Sequence, residues 1–364
     1  MSPTGRITRG HTQVPISGPG PAILDAIAEA TTPTEVAKAG SRLPDAVGAL
    51  IEVGVDPLEV GGLMSDAIDA MTRRLIDLSV VELGEPLVPW AWLALGSAAR
   101  REQGIRTDQD HALAYDPRGR SLEELDGYFF QLAEYVTSGL ESAGIPRCHA
   151  DVVAVNHALR RPLEHWVEAF ETWMSASAIE AVRQTAILFD HRRVAGPLVV
   201  EHTFRRVIAS SPERSAFVGR LRKMAMEARP RRHLRFPRQI DLKHEGLIQI
   251  VTLARILAIQ GDIPATGTIE RLRGAVSRGL LGGASAERLV AAFRLLWGAR
   301  LQHQIVTTDR RDDELVPVRT PGLRVELREA LRSIREAQVT VLRGPAPVAQ
   351  VRPVTRSESL EAAA

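Results

Sequence analysis

The stretch GSAARREQGIRTDQD, residues 96–110, concentrates the groups best able to do chemistry. Gly96 and Ser97 follow an apolar run, and Asp108 and Asp110 stand one residue apart just before another. Three readings fit that pattern: a turn between two strands, a solvated charged loop, or a site that holds a metal and a phosphate. Side chains alternate faces along a strand, so Asp108 and Asp110 point the same way if they open one. Two adjacent carboxylates repel, and each is pushed toward protonation unless a cation lies between them. Mg²⁺ suits such a pair, because it takes one or two carboxylates together with phosphate oxygens and water. Gly96 has no side chain, which lets a phosphate approach its backbone, and Ser97 adds a hydroxyl donor. A helix opening near Ala98 would turn free amides toward the same phosphate. Arg100, Arg101 and Arg106 stand by as counter-charges. A D-x-D pair alone is common; joined to Gly-Ser at the end of a preceding strand, it favours the metal–nucleotide reading.

The elements around this stretch must position it. VPWAWLAL, residues 88–95, is a short apolar run bounded by Pro and Gly and reads as a buried strand, and HALAYD, 111–116, reads as a second. SLEELDGYFFQLAEYVTSGLESAG has helical period and stops at Gly144. CHADVVAVN, 148–156, is rich in Val and reads as a third strand. Upstream, residues 21–83 are helical, with a T-x-x-E capping box from Thr32 to Glu35 and a long helix that the Gly61-Gly62 pair is expected to interrupt. Downstream of Asn156 the pattern is helical almost to the end, with breakers such as Gly196-Pro197, Ser211-Pro212 and Gly282-Gly283 between segments. The expected fold class is α+β: a small mixed-sheet core flanked by an N-terminal helical domain and a C-terminal helical bundle. The expected limits are a disordered lead over 1–20, helices over 21–85, the core over 86–190, the bundle over 191–343 and a disordered tail over 344–364.

Composition excludes several function classes. With 364 residues, 45% of them hydrophobic, the chain can bury a sizeable core. No uncharged apolar run reaches eighteen residues, which speaks against a membrane span. The N-terminus lacks the apolar region of a secretory signal. One cysteine, Cys148, rules out an internal disulfide framework or a cysteine-rich zinc site, and a reducing cytoplasm is the expected location. Cys148 itself reads as a packed thiol. Net charge is +2 but unevenly spread: residues 192–238 carry thirteen basic and three acidic side chains, ending in RPRRHLRFPR. Only Phe236 in that final run can stack on a base, so nucleic acid is not the expected partner.

Gly96-Ser97, followed eleven residues on by Asp108-x-Asp110 at the head of a strand, resembles the signature of the DNA polymerase beta-like nucleotidyltransferase superfamily. LGSAARREQGIRTDQDHALAY resembles, more narrowly, the DUF294 nucleotidyltransferases, which are related to the protein-PII uridylyltransferase catalytic domain. The likeness continues in RCHADVVAVN, ILFDHRRVAGP and DLKHEGLIQIVTLARILAI, and the later segments resemble the family's substrate-binding helical domain. The resemblance implies that Gly96 and Ser97 hold nucleotide phosphates and that Asp108 and Asp110 bind Mg²⁺. Arg100 and Arg101 would join the nucleotide site, although an Arg100–Glu102 salt bridge that fixes the loop is the competing reading. Asp151, the acidic residue of the expected third strand, would complete the catalytic carboxylates or else be a surface aspartate at a strand start. The HD hydrolase and ACT sensor domains of PII-modifying enzymes have no counterpart here, so neither a hydrolytic reverse activity nor a glutamine sensor is expected.

The activity so implied is Mg²⁺-dependent transfer of an NMP from an NTP to a hydroxyl, with a regulatory protein as acceptor. A small-molecule acceptor is the alternative, and a nucleotide-sensing module without catalysis is another. Other segments read structurally: Trp166, Phe170 and Trp173 as one core-facing helix stripe, Arg192 and Arg193 as charge at a helix C-terminus, and Asp241 as the cap of the helix opening at Lys243. Arg300 and Gln304 share a helix face that could line a cleft.

Overall fold

The computed structural model describes residues 19–176, 179–228, 237–307 and 315–343. The expected tail, the lead up to residue 18 and most of the basic RPRRHLRFPR run lie outside the described residues. The chain divides into two units, residues 1–212 with 297–316, and residues 213–296 with 317–364. Among the described residues no helix is long and apolar enough to cross a membrane.

The first unit opens with four helices: α1 (Pro19–Glu29), α2 (Pro33–Gly40), α3 (Leu43–Glu52) and α4 (Pro57–Leu83). Pro19 and Gly20, expected in the lead, belong to α1. At α2 the Thr32 hydroxyl accepts from the Glu35 amide, and the Glu35 carboxylate reaches the Thr31 amide rather than that of Thr32. The capping box therefore closes one residue early. The expected break at Gly61-Gly62 does not occur, and α4 runs unbroken for 27 residues. A Cβ on Gly61 would meet the Trp297 ring at 3.4 Å, so this glycine packs against that ring.

Strand β1 (Trp90–Leu95) is buried along its whole length, as is β2 (His111–Tyr115), and both read as continuous apolar runs for that reason. Between them lies α5 (Gly96–Arg100); after β2 come α6 (Leu122–Ser142), β3 (Arg160–Pro162), α7 (Leu163–Ser175), α8 (Ile179–Phe189), β4 (His191–Ala195) and α9 (Glu201–Ser210). The sheet order is β3-β2-β1-β4; β1 is antiparallel to both neighbours and β2 is parallel to β3. The sheet is mixed and the fold α+β, as expected. Its core is aromatic: Tyr115 stacks on Phe129 at 4.8 Å, and the buried Trp166 donates to Leu113 O at 3.1 Å, which fixes α7 on β2.

Three expectations change. Residues 148–156 are not a strand: Asp151 adopts φ +56°, its carboxylate accepts from the Asn156 side chain, and the segment folds into turns. The parallel strand is the short β3 that follows. Secondly, HRRVA is not a helix terminus but β4, paired with β1. A boundary at 190/191 would cut the sheet. Thirdly, the N-terminal helices are not a separate domain. Gly139 of α6 lets Leu75 of α4 approach so closely that a Cβ would lie 2.5 Å from it, and Arg73 of α4 donates to Val194 O in β4 at 2.9 Å.

The second unit holds α10 (Arg214–Glu227), α11 (Ile248–Gly261), α12 (Thr268–Ser277), the first half of α13 (Gly283–Val306) and α14 (Pro321–Arg343). Helix α11 is apolar on all sides and almost wholly buried, which makes it the centre of the unit. Arg214 closes its C-terminal end by donating to Ile259 O at 3.0 Å. A π-helical turn, Lys243–Leu247, leads into α11, and Asp241 caps it through the His244 amide at 2.8 Å.

His111 joins the parts of the sheet that matter next. Its Nε2 lies 2.9 Å from Gln109 Oε1, its Nδ1 accepts from the Ala154 amide at 3.0 Å, and its ring packs 4.6 Å from that of Trp92. Both hydrogen bonds are satisfied together only by a neutral ring protonated on Nε2. Burial, and then the positive charge of Arg147, lower its pKa to about 3. An unfolded chain takes up that proton near pH 6.5, so stability is complete above that pH and declines as pH falls toward 3, by up to about 1.4 kcal/mol per unit. Urea denaturation at pH 7 and pH 5 tests this: the wild-type chain should lose midpoint on acidification, and His111→Gln should lose measurably less.

Candidate active site

The last residues of β1 and the first of β2 lie side by side because the strands are antiparallel in a fixed register, Ala94 opposite His111. The Leu95 amide donates to Asp110 O at 2.9 Å. The next residue, Gly96, has φ +53°, and a Cβ there would lie 3.2 Å from Asp110 Oδ2. Both facts favour glycine here: the left-handed backbone and the adjacent carboxylate. The Gly96 amide itself donates to Asp190 O at 3.0 Å, so this group already has a partner within the fold. Ser97 follows, half-buried, on the single turn of α5, which ends at Arg101 in the left-handed conformation.

Period-two alternation carries through residues 108–111. Gln109 and His111 face inward and bond to each other, and Gln109 Nε2 also donates to Ile145 O at 2.7 Å and Thr137 O at 3.1 Å. Asp108 and Asp110 take the opposite side and stay half-buried. With the Cys148 sulfur, their carboxylate oxygens form a group of three donor atoms all within 4.8 Å of one another. Burial first, then the charges of Asp110 and Asp108, push the Cys148 thiol up to about 12. The donor set fits a divalent cation: two carboxylates this close are stabilised by a positive ion between them, and Gly96 leaves space beside Asp110. Asp108 and Asp110, with Thr72, Gln103 and Trp92, help line a cavity of about 20 Å³. That is room for about one water molecule and far too small for a nucleotide.

The arginines of this region are largely engaged by the fold. Arg100 bonds Asp190 at 2.6 Å and Glu102 at 2.7 Å, with Asp190 fully buried. Burial alone would favour a neutral guanidine, but Glu102 and Asp190 more than offset it and hold Arg100 above its ordinary pKa. Arg101 pairs with Asp66 at 2.8 Å and keeps 40% of its side chain exposed, the more available of the two toward an anion. Arg192 grips Asp69 through both nitrogens, at 2.6 and 3.1 Å, and donates to Ala98 O, which steadies α5.

The structure thus brings together Gly96, Asp108 and Asp110, with Ser97 alongside. It does not bring Asp151 into the donor group: that residue is exposed, and its carboxylate is held by Asn156 at 2.8 Å. Two residues were missed as parts of the site. Cys148 read as packing because the segment looked like a strand. Gln304, read as lining a cleft, instead takes the Ile105 amide at 3.2 Å on its side-chain oxygen and holds the loop leading into Asp108. The one local sign of this was Gly104, where a Cβ would come within 2.6 Å of Gln304 Oε1.

Two family models match the chain. One, described as "Putative nucleotidyltransferase DUF294", spans residues 41–180 and includes Gly96, Asp108, Asp110 and Cys148; the other, described as "Putative nucleotidyltransferase substrate binding domain", spans residues 202–343. No curated protein matches the chain.

Carboxylates that support the fold and those kept for chemistry should separate in a stability measurement. Asp190→Ala leaves the buried Arg100 with one partner and should cost about 3 kcal/mol. Asp108→Asn relieves repulsion and should leave stability unchanged or raised. Gly96→Ala should cost about 1–2 kcal/mol from its backbone alone. Urea denaturation of the three variants checks the order.

Proposed function

Because the chain belongs to the DUF294 nucleotidyltransferase family, we propose that it transfers an NMP from an NTP to a hydroxyl acceptor in a divalent-metal-dependent reaction. The observation that supports this best is the convergence of Asp108 and Asp110 on one side of the sheet end, next to a glycine whose Cβ would lie 3.2 Å from Asp110 Oδ2. Asp108 and Asp110 would hold the cation, Mg²⁺ being an ion that a carboxylate pair suits. When bound, Mg²⁺ supplies Lewis-acid stabilisation of phosphoryl oxygens.

The chain's own residues do the positioning. The turn at Gly96-Ser97 presents a backbone without a side chain and then a hydroxyl, and the triphosphate lies along it. Arg101, partly exposed, faces the triphosphate charge. Arg100 works at one remove: locked to Asp190 and Glu102, it keeps α5 and the loop after it in place. The acceptor oxygen attacks the α-phosphorus, the bond to the bridging oxygen of the β-phosphate breaks, and pyrophosphate leaves. The helical region matched as a substrate-binding domain is the natural reader of the acceptor. By kinship with the PII-modifying enzymes, the acceptor is a hydroxyl on a regulatory protein, and the reaction takes place in the cytoplasm.

Titration calorimetry with each of the four NTPs and Mg²⁺ tests the proposal on wild type and on Asp108→Asn/Asp110→Asn. One NTP should bind in a metal-dependent manner, and the double variant should fold normally yet lose both that binding and pyrophosphate release. A labelled NTP incubated with lysate should mark a band of protein size; label on a small molecule would move the acceptor to that class. Nucleotide binding without any pyrophosphate release would leave a sensing module. Full activity in the double variant would overturn the mechanism.

A further inference from the structure

The third donor beside the aspartates is a sulfur, and its position is imposed from both sides. Before Cys148, the Gln109 amide donates to Pro146 O at 2.9 Å, and Gln109 pairs with Arg147 as an isolated parallel bridge. After it, the His111 amide donates to Val152 O at 3.0 Å, and the Ala154 amide donates to His111 Nδ1 at 3.0 Å. The two residues that lock this loop, Gln109 and His111, are those that alternate with Asp108 and Asp110. One stretch of backbone therefore sets both the carboxylates and the thiol. Arg147, next to Cys148, turns away from the three donors to Glu134 and Glu141. Asp151, the loop's only carboxylate, is held off by Asn156.

We propose that the Cys148 sulfur is a third protein ligand of the cation held by Asp108 and Asp110, so that the site binds Co²⁺ or Zn²⁺ more tightly than Mg²⁺. This rests on the metal-site reading above and narrows it. Mg²⁺ takes oxygen ligands and gains little from sulfur, whereas later first-row ions accept mixed oxygen and sulfur donors. The carboxylates suffice to admit Mg²⁺; the sulfur changes which ion wins when several are present. The donor atoms lie within 4.8 Å of one another, and a shared ion would draw them closer.

Co²⁺ titration of the full chain, followed by absorption, reads the ligand directly. The chain has one cysteine, so a thiolate-to-cobalt charge-transfer band belongs to Cys148. That band should rise together with the visible cobalt bands in the wild type. Cys148→Ser should lose it and bind Co²⁺ at least about tenfold more weakly, while its Mg²⁺ affinity stays the same. The key band is read on the unaltered protein, so the test stands even if the variant folds poorly. Cobalt binding without the charge-transfer band, lost in Asp108→Asn/Asp110→Asn, would overturn the sulfur ligand and leave the carboxylate site intact. No cobalt binding by the wild type would overturn the sulfur ligand and the metal site beneath it.

Discussion

The buried imidazole of His111 donates from Nε2 to Gln109 and accepts at Nδ1 from Ala154, and it can do both only while uncharged. Three pieces of chain meet on that ring. Trp92 of β1 packs on its face, Gln109 and His111 carry the start of β2, and Ala154 belongs to the loop that carries Cys148. Asp108 and Asp110 owe their shared direction to the inward turn of the residues between and after them. If the ring were to gain a proton, Nδ1–H would face the Ala154 N–H, and the loop would lose its hold on β2. Neutrality of one side chain thus ties the segment that carries Asp108 and Asp110 to the loop that carries Cys148.

A second layer of support is ionic. Asp190 and Glu102 surround Arg100, Asp69 holds Arg192, and the Arg192 guanidinium also reaches the backbone of α5 at Ala98. Buried pairs of this kind add little net stability over an apolar core but are costly to break singly. Their effect here is directional: they fix the five-residue turn on which Gly96 and Ser97 sit. A loop of fifteen residues between two strands would otherwise have ample freedom.

The local chemistry was legible in the sequence because it is local. Gly96-Ser97 and Asp108-x-Asp110 are a few residues apart, and the hairpin that joins them follows from two apolar runs. Long helices such as α6 announce themselves by period. What was hidden depends on partners far along the chain. Val152 and Val153 suggested a strand, yet Asp151 with φ +56° and the Asn156 side chain turn that segment, and strand propensity yields to hydrogen bonds that only the fold supplies. HRRVA looked like a basic helix end, since nothing nearby shows that β1 has an edge for it to pair with. Gly61-Gly62 looked like a break, when Gly61 accommodates Trp297, 236 residues later. Cys148 joined the aspartates only once the true path of its loop was known.

Gln304 holds the loop before Asp108 from a position 199 residues downstream. During synthesis, Asp108, Asp110 and Cys148 leave the ribosome long before that glutamine does, and residues 213–296, most of the second unit, are made in between. The nascent first unit must therefore wait with one of its supports missing. Contacts of such wide sequence separation form late and slowly. Fragments released early carry every candidate ligand without the brace that Gln304 adds to the loop leading into Asp108.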